Sequence, residues 1–305
     1  MGATTAISWT ERTWNYFRGC SEKSPGCRDC YARQMAARFS APGQPYHGIA
    51  YMDDEGRSRW TGKIAAVPEH LDDPIRWQRP SMIFTNSMSD LFHEDAELNA
   101  IINSFEVMEK ASWHIYQTLT KRPERMPSIL RSITLKSGRN LGTDPLPNVW
   151  IGTSIEDEKT AAERSYWLAE TPAAIRWWSA EPLIGEIDWE KWIPLSKANW
   201  VVFGGESKQT ARPPRRMQAR WLSDGLVVCE KLGVAAFVKQ LGGVLAKELL
   251  HPGKFRADPS GKKPECWPLD LRVQNYPIDI VKALAWDRKA HKVSNSIPLE
   301  VLNVA

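Results

Sequence analysis

Six short apolar runs recur along the chain at nearly regular intervals. They are SMIFTN from Ser81, WHIYQTLT from Trp113, NVWIGTS from Asn148, AIRWWSAEP from Ala174, WVVFGGES from Trp200 and VAAFVKQ from Val234. Each is bounded by polar residues and rich in β-branched or aromatic side chains, so each reads as a buried strand. Their starts lie 32, 35, 26, 26 and 34 residues apart. Helix-like segments fill the gaps: DAELNAIINSFEVMEKA, KRPERMPSILRSI, DEKTAAERSYWLAE and ARWLSDGLVVCEKLG. Pro123 suits a first helical turn and Gly233 a helix stop; EIDWEKWIPLSKA reads as a short helix and a loop. Strand–helix units of this period require βαβ crossovers and a parallel sheet. With a first strand in AISWTERTWNYF, the chain is predicted to be α/β, a partial or full parallel (β/α) TIM-like barrel. The barrel is expected over residues 1–245 and a C-terminal extension over 246–305, of which the part past about residue 278 carries no chemistry we can name. No GxGxxG follows a first strand, which argues against a dinucleotide-binding fold.

Each run turns from apolar to small or charged at its C-terminal end. Asn86, Ser87, Ser89 and Asp90 follow the first, and Thr120, Lys121 and Arg122 the second. Thr153, Ser154 and Glu156 follow the third, Ser179 and Glu181 the fourth, Glu206 and Ser207 the fifth, Lys239 and Gln240 the sixth. In a parallel barrel these ends meet on one face, where active sites are built.

Three of the five cysteines fall in NYFRGCSEKSPGCRDCYARQMAARF, at Cys20, Cys27 and Cys30. The intervening SEKSPG is loop-forming. YARQMAARF reads as a helix with Ala32, Met35, Ala36 and Phe39 on its apolar side. An odd, clustered set of cysteines is a poor disulfide framework and a reasonable metal site in a reducing compartment, so a cytoplasmic location is expected. Thiolate trios select zinc or an iron–sulfur cluster. Structural zinc wants a fourth ligand, for which His47, Cys229 and Cys266 are candidates. Three cysteines on a [4Fe–4S] cluster leave one iron open to a small molecule. Unmetallated thiols are the remaining possibility. Cys229 in LVVCEKL reads as core, and His93 in DLFHED as a helix-start residue.

The stretches ISWTERTWNYFRGC, GCRDCYA, FTNSMSDLF, TKRPERM, VWIGTSIE, SAEPLIG, VVFGGES, FVKQLG and WPLDLRVQNYP span about residues 7–277. They resemble a phage-associated three-cysteine-motif family, and a three-cysteine loop after the first strand of a βα barrel resembles the radical S-adenosylmethionine (SAM) superfamily. The first cysteine gap here is six residues where the superfamily has three. Asp29, not an aromatic residue, precedes Cys30, and Tyr31 follows it. The GGE at Gly204–Glu206 follows a later strand than in the superfamily, so its amino-group role is not carried over.

The resemblance implies a radical-SAM-type barrel holding a [4Fe–4S] cluster through Cys20, Cys27 and Cys30. SAM would be cleaved by one electron to a 5′-deoxyadenosyl radical that abstracts hydrogen from substrate. Asn86, Ser87, Ser89 and Asp90 stand where SAM's methionine end is held. Thr153, Ser154 and Glu156 are further cofactor-binding candidates, with Asp90 or Glu156 meeting the SAM ammonium or ribose. Lys121, Arg122 and Lys239 are candidates for a carboxylate or substrate phosphate. Glu181 and Glu206 could orient the ribose or move protons. The catalytic set is thus Glu181, Lys121 and Arg122. An electron donor is required, and the family is associated with a methyltransferase-like partner protein.

Net charge is +4, which permits nucleic acid without demanding it. ARPPRRMQARW carries four arginines between Arg212 and Arg220, and the chain has 15 tryptophans, which serve as core or as base-stacking platforms. Together with the phage association that the resemblance implies, these favour DNA or a nucleotide as the expected substrate, for repair or base modification; the arginine stretch reads otherwise as a solvated helix start opened by Pro213 and Pro214. Two alternatives stand beside this. One is a zinc- or cluster-stabilised nucleic-acid-binding protein without radical chemistry. The other is a barrel phosphohydrolase that uses a divalent metal. No run of eighteen apolar residues or leader-like N-terminus is evident, so no membrane partner is expected.

Overall fold

The computed structural model describes residues 4–208 and 212–284. Its centre is a seven-stranded, all-parallel sheet whose strands pair in chain order. They are β1 (Arg12–Trp14), β2 (Met82–Thr85), β3 (Ile115–Thr120), β4 (Val149–Ile155), β5 (Ile175–Ala180), β6 (Trp200–Gly204) and β7 (Ala235–Gln240). Helices α1 (Tyr31–Arg38), α2 (Leu98–Lys110), α3 (Met126–Ser132), α4 (Glu158–Glu170), α5 (Trp189–Ser196), α6 (Ala219–Leu232) and α7 (Gly243–Leu249) alternate with the strands. All six predicted runs and the first strand are present. Among the described residues the sheet does not close β7 onto β1, so the architecture is a partial (β/α) barrel.

Two cores follow from the period-two alternation of the strands. Outward residues such as Tyr116, Ile151, Trp178, Phe203 and Val238 pack with the helices. Inward residues Phe84, Trp150, Trp177, Trp200 and Phe237 join Trp9 in a second, aromatic cluster. Their rings meet mostly edge-on or tilted, with Trp9 5.3 Å from Trp177 and Trp150 5.5 Å from Trp200. The tryptophan excess is thus spent largely on core: Trp14, Trp150, Trp177, Trp178, Trp200 and Trp267 are fully buried. Gly152 is where the aromatic plug needs space. A Cβ there would lie 2.5 Å from the Trp177 ring. Gly152→Ala is expected to destabilise the fold by about 1–3 kcal/mol, measured by the denaturant midpoint; an unchanged midpoint would show that the plug yields.

α1 departs from expectation. Ala32 and Ala36 are buried, but Met35 and Phe39 are 42% and 46% exposed, and the inner face includes Arg33. Arg33 is drawn in because it ion-pairs with Glu22 and donates to Ser58 at 3.3 Å. The residues beyond 245 fold back on the barrel. α7 runs across the expected 245/246 boundary. Asn275 donates to Ala236, and Val238 to Val273, covering the open edge of β7. No helix among the described residues is long and apolar enough to cross a membrane. The residues from 285 onward, expected as an extension, lie outside the described residues.

Candidate active site

The C-terminal ends of the strands surround a cavity of about 670 Å³. Its depth is set by strand register. Inward positions carry tryptophan low in the barrel, with Leu119 level with Trp177, and Ser154 and Ser179 one layer higher. Glu181 and Lys239 stand at the top. Trp9 and Phe84 form an apolar floor where the second core ends.

The cysteine loop, residues 19–30, crosses this mouth between a short strand at Phe17–Arg18 and α1. Cys27 and Cys30 open into the cavity. Cys20 sits behind them against Arg122, whose Nη1 is 4.0 Å from its sulfur. The three thiols lie close enough to act on one another. Burial pushes Cys20 up to about 12, Asp90 adds to this, Arg122 pulls it down, and Cys30 and Cys27 push it further. Cys30 is likewise raised by burial, against the pull of the Arg33 and Ala32 amides. All three are free thiols. Among the described residues no three His, Cys, Asp or Glu side chains converge as a single metal ion requires. Of the proposed fourth ligands, Cys229 is buried core, as read from sequence, and Cys266 packs against the helix-side core.

Several predicted ligand-binding residues turn out to anchor the loop. Glu156 is fully buried. Its Oε1 accepts from Ser24 at 2.5 Å and from Lys121, and its Oε2 from the Gly26 amide at 2.7 Å. Burial raises its pKa, but Lys121, Ser24 and Gly26 together hold it below the ordinary value. A Cβ at Gly26 would lie 2.4 Å from the Glu156 carboxylate, so a larger residue there would displace that carboxylate. Lys121 is therefore turned to Glu156 and Ser24. Thr153 donates to the Thr120 carbonyl at 2.9 Å and does not line the cavity.

Arg122, expected as a carboxylate- or phosphate-binding candidate, is 1% exposed and is not among the residues lining the cavity. It binds Asp90 at 3.1 Å, Glu94 and the Ser21 hydroxyl at 2.6 Å. Asp90 borders the cavity, yet its oxygens accept from Thr120, Phe92, Lys121 and Arg122. His93 is more than a helix-start residue. It is 2% exposed, its Nδ1 accepts from the Asp95 amide, and the remaining ring N–H faces the Ser21 hydroxyl at 2.8 Å. Burial, then Arg122, lowers its pKa, so the neutral ring is favoured.

A second clasp comes from the arginine-rich stretch. Glu206 binds Arg28 of the cysteine loop at 3.2 Å and is bracketed by Arg215. Arg215 also donates to the Pro25 carbonyl at 3.0 Å, and Arg28 to the Pro213 carbonyl at 3.3 Å. Arg216 and Arg220 pair with Glu248 and Glu186. Sequence reading missed Arg28 and Arg215 as a pair because they are 187 positions apart (28 to 215).

The remaining predicted residues do face the cavity. Glu181 pairs with Lys239 at 2.7 Å and accepts from Gln240 at 3.1 Å. Ser154 lines the wall beside Ser179. Ser87 donates to Asn15, and its carbonyl accepts from Tyr31. Asn86 holds a left-handed backbone (φ 63°) and accepts from the Phe17 amide through Oδ1. Its buried Nδ2 and the buried Ser89 Oγ have no hydrogen-bond partner among the described residues. Both residues line the cavity, where a polar ligand would satisfy them. Lys262, also at the wall, was not anticipated, since its segment reads as distant tail.

A family model matches residues 4–281, nearly the whole chain; its description is protein of unknown function, DUF5131. The chain belongs to the DUF5131 family. Comparison with curated proteins and with solved structures gives no match. The DUF5131 match spans both the cysteine loop and the residues that clasp it.

Proposed function

We propose that this protein is a radical-SAM-type enzyme that holds a [4Fe–4S] cluster through Cys20, Cys27 and Cys30 and acts on DNA or a nucleotide. The observation that carries this reading is a juxtaposition. A tethered three-cysteine loop overhangs the C-terminal mouth of a partial βα barrel, beside two buried polar groups, on Asn86 and Ser89, that lack partners among the described residues. The donor set fits the group. Thiolates suit iron–sulfur chemistry, and three of them leave one corner for a chelating ligand. A single zinc would need its ligands gathered within about 2.3 Å of one point, whereas a cube takes sulfurs held apart on one loop.

With SAM, the cluster would supply the electron that splits a sulfonium carbon–sulfur bond and so starts hydrogen abstraction. The protein's own contribution is placement. Asn86 Nδ2 can donate to a ligand carboxylate and Ser89 Oγ can bond its amine. Glu181, paired with Lys239, can accept from ribose hydroxyls. Trp9 and Phe84 close the floor and exclude water. Lys262, which has no ion pair among the described residues, suits a substrate phosphate. Asp90, Glu156, Lys121 and Arg122 hold the scaffold in this scheme.

The test is anaerobic reconstitution with iron and sulfide, then addition of SAM and a strong reductant. We expect release of 5′-deoxyadenosine, and loss of at least a hundredfold in Cys20→Ala, Cys27→Ala and Cys30→Ala. A reconstituted protein that retains one zinc and releases none would refute the proposal.

A further inference from the structure

We infer that Arg122 is a positioning residue that acts through Cys20 to set the reduction potential of the bound cluster, in opposition to Glu94. This rests on the cluster reading above.

The geometry singles out one of the three sulfurs. Cys27 faces an uncharged donor, the Lys23 amide at 3.5 Å. Cys30 caps α1 and lies by that helix's first amides. Cys30 also feels the Lys121 ammonium, which is 20% exposed and ion-paired with Glu156. Among the described residues, Cys20 is the sulfur with a fully buried charge in hydrogen-bond contact, the guanidinium of Arg122. That group cannot swing away. Asp90, Glu94, Ser21 Oγ and the Ser21 carbonyl take its remaining donors, and His93 holds Ser21 from the other side. A guanidinium cannot give up its proton in a protein, so its charge is constant across pH. A fixed cation beside a ligating sulfur favours the electron-rich state of a cluster, and hydrogen bonds to the sulfur act in the same sense. The two carboxylates act against it. Asp90 is buried, whereas the Glu94 side chain is 45% exposed and can be altered from outside.

The experiment is a redox titration of the reconstituted full-length protein, without SAM, followed by electron paramagnetic resonance. Arg122→Met is expected to make reduction at least tenfold less favourable, about 59 mV for one electron. Arg122→Lys should recover most of that loss. Glu94→Gln should move the midpoint upward, and it keeps the test open if Arg122→Met does not fold. A purely structural Arg122 would change cluster yield and leave the midpoint where it was. Midpoints unchanged in folded Arg122→Met, or in Glu94→Gln, overturn the inference alone. Failure of the wild-type protein to take up any iron–sulfur absorption overturns the cluster reading and this inference with it.

Discussion

Glu156→Ala is expected to cost about 3–5 kcal/mol of folding stability and to release the cysteine loop. The carboxylate is fully buried and joins three chain segments: Ser24 and Gly26 of the loop, Lys121 after β3, and its own position after β4. Its removal leaves the Lys121 ammonium with only Ser24 at 3.3 Å from the set it now has, and leaves the Gly26 amide unpaired. Denaturant titration measures the loss, and limited proteolysis between residues 20 and 30 reports the loop. A variant with the wild-type midpoint and an uncut loop would contradict this account. The same carboxylate predicts an acid effect. Its pKa is held below the ordinary 4.5 in the folded protein, so the unfolded chain binds the proton more tightly. Its stabilisation is complete above that value and fades as pH falls below it. Glu156→Gln should flatten this part of the stability–pH curve.

Trp200→Ala should be as damaging, at about 3–5 kcal/mol, though it lies far from the cysteines in sequence. Trp200 is fully buried and touches Trp9, Trp150, Trp177, Phe237 and Tyr276. Its indole N–H donates to the Asn275 carbonyl at 2.9 Å. The ring therefore ties the barrel interior to the N-terminal segment and to the segment covering β7. We expect a lowered thermal midpoint and loss of the cavity floor. If ring stacking on nucleic acid were its role instead, truncation would weaken nucleic-acid binding and leave the midpoint alone.

These two residues show what sequence reading reaches. Trp200 was legible as a strand residue because a buried strand must be apolar on both faces in a parallel sheet. Glu156 was legible as a strand-end residue facing the mouth, but its task was not. A carboxylate at a strand end reads alike whether it meets a ligand or a loop. The choice is made by Ser24 and Gly26, which lie 132 and 130 positions away. Arg122 shows the same limit, since its burial follows from Asp90, Glu94 and Ser21 meeting it at once. Met35 and Phe39 failed for another reason. Helical period identifies a face, but Arg33's pairing with Glu22 rotated the buried side of α1 away from them.

The order and parallel pairing of the strands were written in the spacing of apolar runs, because a crossover needs a fixed length of chain and a buried strand needs apolar side chains. The convergence of polar strand ends was written there too, since parallel strands all end on one side. Only the folded chain decided which polar groups face the cavity and which are consumed in holding the cysteine loop. Pairing energies between charges depend on distance and burial, and both are set by segments that sequence keeps far apart.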